Sequence, residues 1–187
     1  MEVGFDEMVE TMKKGAASLR DAGIPFVLGG GLAAWARGGP FSEHDVDFLI
    51  KPEDTEHVVR VLEDAGMRLE RPPEGWLLKA YDGDVLIDLI FHPATGPVDD
   101  EVMERADDLE VLSTRMKVMA LEDIMVTKLQ ALNETHLDLK GPLEMARPIR
   151  EQVDWDEVRE RTKDSPYAKA FFTLAEELGV LERSGVR

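Results

Sequence analysis

The sequence predicts an α/β (α+β) chain, with a mixed, twisted β-sheet flanked by helices and followed by a C-terminal helical segment. Three observations carry that expectation. Some stretches repeat apolar residues at steps of three and four, which is helical spacing. Others are short apolar runs bounded by Gly, Pro or Asp, which is how buried strands read. The two kinds are interleaved up to about residue 120, and beyond it every periodic stretch is helical.

FDEMVETMKKGAASLRDAG, from residue 5, sets Phe5, Met8, Met12, Ala16 and Leu19 on one helical stripe and stops at Gly23. IPFVLGG reads as a short buried strand ending in glycine, GLAAWARGG as a short helix with its own glycine stop, and DVDFLI as a strand. PEDTEHVVRVLEDAG is helical, with Pro52 near the first turn and Gly66 just past the end. Strands are predicted at MRLER and GWLLKAY, and the Asp-Gly turn in DGD then forms a hairpin with VLIDLIF. A short helix over 99–108 precedes two small strands, LEVLS and RMKVMA. From LEDIMVTKLQALNE onward the pattern is helical. Asp154 is placed to cap WDEVRERTK, and Ser165 with Pro166 to open YAKAFFTLAEELG. At 187 residues the expectation is one compact unit, a core over 1–120 with a helical segment over 121–187 packed on it.

The hydrophobic fraction of 43% and charged fraction of 33% are those of a globular protein. No apolar run approaches the roughly 18 residues of a membrane span, and the first residues are acidic where a signal peptide is basic. No membrane association and a cytoplasmic location are therefore expected. The chain has no cysteine, which excludes disulfides, thiol nucleophiles and Cys-zinc sites. Its net charge is −17, with 22 basic residues against 39 acidic ones and no basic cluster. That balance argues against a long nucleic-acid footprint and favours a small-molecule, metal-bridged or protein partner. It also suits a cationic small molecule.

In a chain with 18 aspartates, chance alone places roughly two Asp-x-Asp pairs, so such a pair needs context. Three occur. Residues 82–84 have the composition of a hairpin turn, and residues 154–156 that of a helix start. Asp45 and Asp47 have neither explanation. They open an apolar strand, and period-two geometry sets both carboxylates on one face, a few ångströms apart. Like charges held there repel, and a divalent cation relieves them. Asp88 interrupts the apolar run VLIDLIF and needs a partner, whether a structural hydrogen bond or a ligand. If its strand lies beside DVDFLI, the three carboxylates form an oxygen-rich cage suited to Mg2+ or Mn2+.

Gly29, Gly30 and Gly31 lie where a strand runs into a helix. Such a run is either a tight turn or a phosphate cradle. Followed by a strand-borne Asp-x-Asp, it points to a nucleoside triphosphate site.

This arrangement resembles the DNA polymerase β-like nucleotidyltransferase superfamily in its minimal single-domain bacterial form. The signature there is a Gly-Gly turn at a helix start, Asp-x-Asp on the next strand and a third Asp on a later one. It maps here to Gly29 and Gly30, to Asp45 and Asp47, and to Asp88. Lys128 matches a lysine that minimal members tend to carry on a later helix. The order GGG…SEHDVDF…HVVRVLEDAGM is similar to small antibiotic nucleotidyltransferases and to toxin–antitoxin-type relatives.

The resemblance implies a nucleotidyltransferase-type sheet in the 1–120 core. It also implies transfer of a nucleoside monophosphate from an NTP to an acceptor hydroxyl or phosphate, releasing pyrophosphate. Two Mg2+ or Mn2+ ions would be held by Asp45, Asp47 and Asp88, with Gly29, Gly30, Gly31, Ser42 and Lys128 at the nucleotide. The chain departs from the pattern in two places. Gly31 and Glu43 stand where a Ser or Thr is common, with Ser42 one residue before Glu43. The alternative is a non-catalytic relative acting as a nucleotide sensor or toxin–antitoxin component.

Overall fold

The computed structural model describes residues 4–40 and 45–183. Among the described residues the strands are β1 Phe26–Leu28, β2 Val46–Ile50, β3 Arg68–Glu70, β4 Leu77–Asp82, β5 Val85–Ile90, β6 Asp107–Val111 and β7 Thr114–Val118. They form one sheet in the order β3-β4-β5-β2-β1-β7-β6. The sheet is mixed: β2 pairs parallel with β5 and β1 with β7, and the other neighbours are antiparallel. The helices are α1 Phe5–Asp21, α2 Gly30–Ala36, α3 Thr55–Asp64, α4 Asp100–Arg105, α5 Leu121–Gln130, α6 Lys140–Ile149, α7 Trp155–Arg161 and α8 Pro166–Glu177. None of them is long and apolar enough to cross a membrane.

Strand alternation divides the sheet's two faces. Val46, Phe48 and Ile50 of β2, with Val85, Ile87 and Leu89 of β5, are buried. They face α1, which crosses so closely that a Cβ on Gly15 would lie 2.9 Å from Ile87 Cδ1 and 3.2 Å from Phe48 Cε2. Phe26 meets Phe48 edge to face at 5.0 Å. The intervening residues, Asp47 and Leu49 on β2 and Asp88 and Ile90 on β5, point the other way, toward α2 and α5.

The C-terminal helices assemble around α5. Trp155, Phe171 and Phe172 form an aromatic group with centroids 5.3 to 6.4 Å apart. Asp123 on α5 is only 3% exposed. Its carboxylate accepts from Arg105 Nε at 2.9 Å and from Arg161, tying α5 to α4 and α7. A buried carboxylate needs such partners, and the tie also fixes α5 where it carries Lys128. The predicted caps form, with Asp154 Oδ1 accepting from Asp156 N and Glu157 N and Ser165 Oγ from Ala168 N.

Two helical expectations end sooner than predicted. The helix over 99–108 stops at Arg105, because Ala106 is extended and Asp107 and Asp108 pair with Val118 and Lys117 of β7. The helix at LEDIMVTKLQALNE stops at Gln130. Asn133 Oδ1 accepts from Thr135 N at 3.0 Å and His136 N at 3.1 Å, a local turn that competes with helix continuation.

Candidate active site

The site is assembled by strand register. Asp47 lies directly beside Asp88 in the parallel pairing of β2 with β5. Asp45 sits two residues before Asp47 at the mouth of β2. The three side chains are half-buried, and one carboxylate oxygen from each lies within 4.8 Å of the others. All three donors are hard oxygens, which fit Mg2+ or Mn2+ better than zinc.

The glycine turn is built against the same carboxylate. Gly29 N donates to Asp47 O at 2.9 Å, extending the β1–β2 ladder into the turn. Gly30 follows with φ +58, and a Cβ there would lie 1.6 Å from Asp47 Oδ2. Any side chain at position 30 would occupy the volume of the Asp47 carboxylate. A Cβ on Gly29 would meet Leu49 Cδ1 at 2.4 Å. Gly31 lies in the first turn of α2. Ser42, with Glu43 and His44, lies outside the described residues.

Burial raises the Asp47 carboxyl from its ordinary 3.8 to about 7, helped by the Asp45 and Asp88 charges and opposed by Lys128 and Lys79. Asp88 is also raised, chiefly by burial, with Lys79 holding it down and Asp45 pushing it up. A carboxyl whose pKa rises on folding costs nothing below its ordinary value, and the cost grows until pH passes the raised one. The metal-free protein therefore loses stability at Asp47 as pH climbs from 3.8 to about 7. Cation binding has the opposite sign, since it takes up the ionised form. Calorimetric Mn2+ titration between about pH 5 and about pH 9 should show affinity rising to about 7 and then levelling. A pH-independent affinity would contradict this electrostatic picture.

Beside the carboxylates opens a cavity of about 1030 Å3, lined by Gly30, Asp47, Leu49, Glu74, Trp76, Ile90, His92, Met119, Ile124, Thr127, Lys128, Asn133 and His136 among others. Lys128, which by sequence alone stands equally well as a surface lysine, lines this cavity and acts on Asp47. His92 lines it too. Arg37, which by sequence alone is open to phosphate contact or to solvent, is engaged elsewhere: its Nη2 donates to Asp107 Oδ2 and to Val118 O, each at 2.8 Å.

The three tryptophans, each open by sequence to core packing or to stacking on a base, divide. Trp35 and Trp155 pack on the core, whereas Trp76 is 40% exposed at the cavity. Sequence reasoning passed over Glu74 and Lys79. Lys79 had a usable signal. A two-residue turn at Gly83 and Asp84 sets Asp82 opposite Val85, and counting back sets Lys79 opposite Asp88, as observed.

Over residues 12–183 the sequence matches a family described as uncharacterised nucleotidyltransferase. No curated protein matches it. Solved structures with this fold include the solution structure of the antibiotic-resistance factor ANT(2'')-Ia. That match has a TM-score of 0.64 at 16% identity, covering 96% of this chain and 99% of that one. A crystal structure of ANT(2'')-Ia in complex with adenylyl-2''-tobramycin gives 0.60 at 17% identity, covering 89% and 97%. The lincosamide antibiotic adenylyltransferase LnuA, lincomycin-bound, gives 0.50 at 16% identity, covering 73% and 93%. At these identities the likeness is one of fold.

Proposed function

Because the chain belongs to this nucleotidyltransferase family, we propose that it moves a nucleoside monophosphate from an NTP to an acceptor hydroxyl or phosphate, using divalent metal held by Asp45, Asp47 and Asp88. The observation that carries the reading is the convergence of those carboxylates within 4.8 Å at the edge of a cavity that also holds Lys128. Bound there, Mg2+ or Mn2+, two ions in this reading, supplies a lowered acceptor pKa and charge neutralisation at the leaving pyrophosphate.

The chain's own residues do the rest. Asp88 takes the acceptor's proton on a carboxylate oxygen. The acceptor oxygen bonds to the α-phosphorus, the α–β anhydride bond breaks, and pyrophosphate departs. Lys128 meets the triphosphate, with the Gly29–Gly31 backbone and the Ser42 hydroxyl as further phosphate ligands. Leu49, Ile90, Met119 and Ile124 make the cavity wall apolar, which excludes water and strengthens each charged contact. Residues 1–120 form the nucleotidyltransferase core in this reading, and residues 121–187 the helical segment that brings Lys128 to it.

The acceptor is a small molecule. A cavity of about 1030 Å3 has room for a nucleotide and a second small substrate. Two fold neighbours were solved with adenylyl-2''-tobramycin and with lincomycin. Glu74, which has no ion pair among the described residues, and the net charge of −17 favour a cationic one. Trp76 offers it a flat apolar face. Trp76→Ala should raise the acceptor KM about tenfold with little change in Mn2+ binding; steady-state kinetics on an identified acceptor would check this.

Incubation with each α-labelled NTP, Mg2+ or Mn2+ and mixed hydroxyl-bearing acceptors tests the function. Label on an acceptor supports transfer. No incorporation with any of the four nucleotides would favour the non-catalytic sensor or toxin–antitoxin reading.

A further inference from the structure

The carboxylate cluster is built with a cation of its own. Asp47, Asp88 and Lys79 form a row across three adjacent strands, β2, β5 and β4, because Asp88 is in register with both neighbours. Lys79 Nζ donates to Asp88 Oδ1 at 3.2 Å, and the two side chains are 28% and 14% exposed. Among the described residues this is the one ion pair made by any of the three carboxylates. Lys128 lines the cavity and acts on Asp47, whereas Lys79 is the lysine bonded directly to a carboxylate of the cluster.

We propose that Lys79 is a resident counter-ion of the cluster, a positioning residue that pins Asp88 Oδ1 and offsets the acidic charge until a divalent cation displaces its influence. The inference rests on Asp45, Asp47 and Asp88 being a metal site. Three carboxylates with oxygens within 4.8 Å repel one another when no cation is bound. Lys79 relieves part of that repulsion from the adjoining strand, and the hairpin turn at residues 83–84 fixes the register that puts it there. A divalent ion on the same carboxylates then lies within a few ångströms of an ammonium of like charge, in surroundings drier than bulk water. Lys79 thus holds the cluster in shape before loading and weakens the metal once it arrives, which keeps binding reversible.

The test is Mn2+ titration of the full chain without nucleotide, with free ion followed by electron paramagnetic resonance. Lys79→Gln and Lys79→Met should each bind Mn2+ about tenfold more tightly than wild type. Lys79→Arg, which keeps the charge, should stay within about twofold of it. The metal-free neutral variants should also melt below wild type at pH 8 and recover with Mn2+. Unchanged or weaker Mn2+ binding by both neutral variants, with wild type binding normally, overturns the counter-ion role alone. Tightening by Lys79→Arg as well would assign the effect to shape and overturn it too. If no protein in the series binds Mn2+, the metal reading of the cluster falls and this inference falls with it.

Discussion

Asp47→Asn is expected to lower turnover on the order of a thousandfold or more while raising the melting temperature of the metal-free protein at pH 8. Both effects have the same origin. Asp47 is the innermost carboxylate of the cluster, and burial holds its carboxyl near 7. Above that pH the folded protein carries an ionised group in surroundings that disfavour it, and Asn removes the charge without changing the shape. Below the ordinary value of 3.8 the carboxyl is neutral in both folded and unfolded chains. The stability gain should therefore shrink as pH falls from about 7 toward about 4. A cation, by contrast, needs the charge that Asn lacks. Melting curves across that range, paired with turnover, would separate this account from a merely structural role. A structural Asp gives a variant that is less stable at every pH.

Gly30→Ala should be nearly as damaging, for a steric reason. The backbone at Gly30 has φ +58, where a side chain costs about 1–2 kcal/mol on its own. The added Cβ would also lie 1.6 Å from Asp47 Oδ2, so the carboxylate or the turn must move. Displacing a ligand of the cluster by an ångström is enough to lose about a hundredfold in rate. Gly66→Ala is the control. Its φ is +85, but nothing lies within 4 Å of its Cβ position. It should show the backbone cost alone, with melting shifted and turnover kept. Equal activity losses in the two variants would mean that turn strain, and not contact with Asp47, sets the requirement for glycine.

Much of this site was legible in the chain because its parts are local. The Asp45–Asp47 spacing, the glycines at the end of β1 and the hairpin before Asp88 each follow from contacts a few residues apart. The adjacency of β2 and β5 is different. It joins segments some forty residues apart in parallel, and no periodicity within either strand records which neighbour it has. The meeting of Asp47 with Asp88 could therefore be stated only as a condition. The place of Trp76 is hidden from the sequence for a related reason. An aromatic residue at a strand start is core or cavity wall according to what covers that end of the sheet, and here Ala131, Asn133 and His136 line the cavity with it. The sequence pattern predicts helix there, and the Asn133 turn replaces it. Lys79, by contrast, was available from hairpin counting alone.

The most direct measurement is anomalous scattering from crystals of the wild-type chain grown with Mn2+ and a non-hydrolysable NTP analogue. The account predicts Mn2+ peaks within bonding distance of Asp45, Asp47 and Asp88, with the triphosphate reaching toward Lys128. Nucleotide bound elsewhere, or bound there with no Mn2+ on those three carboxylates, would contradict it.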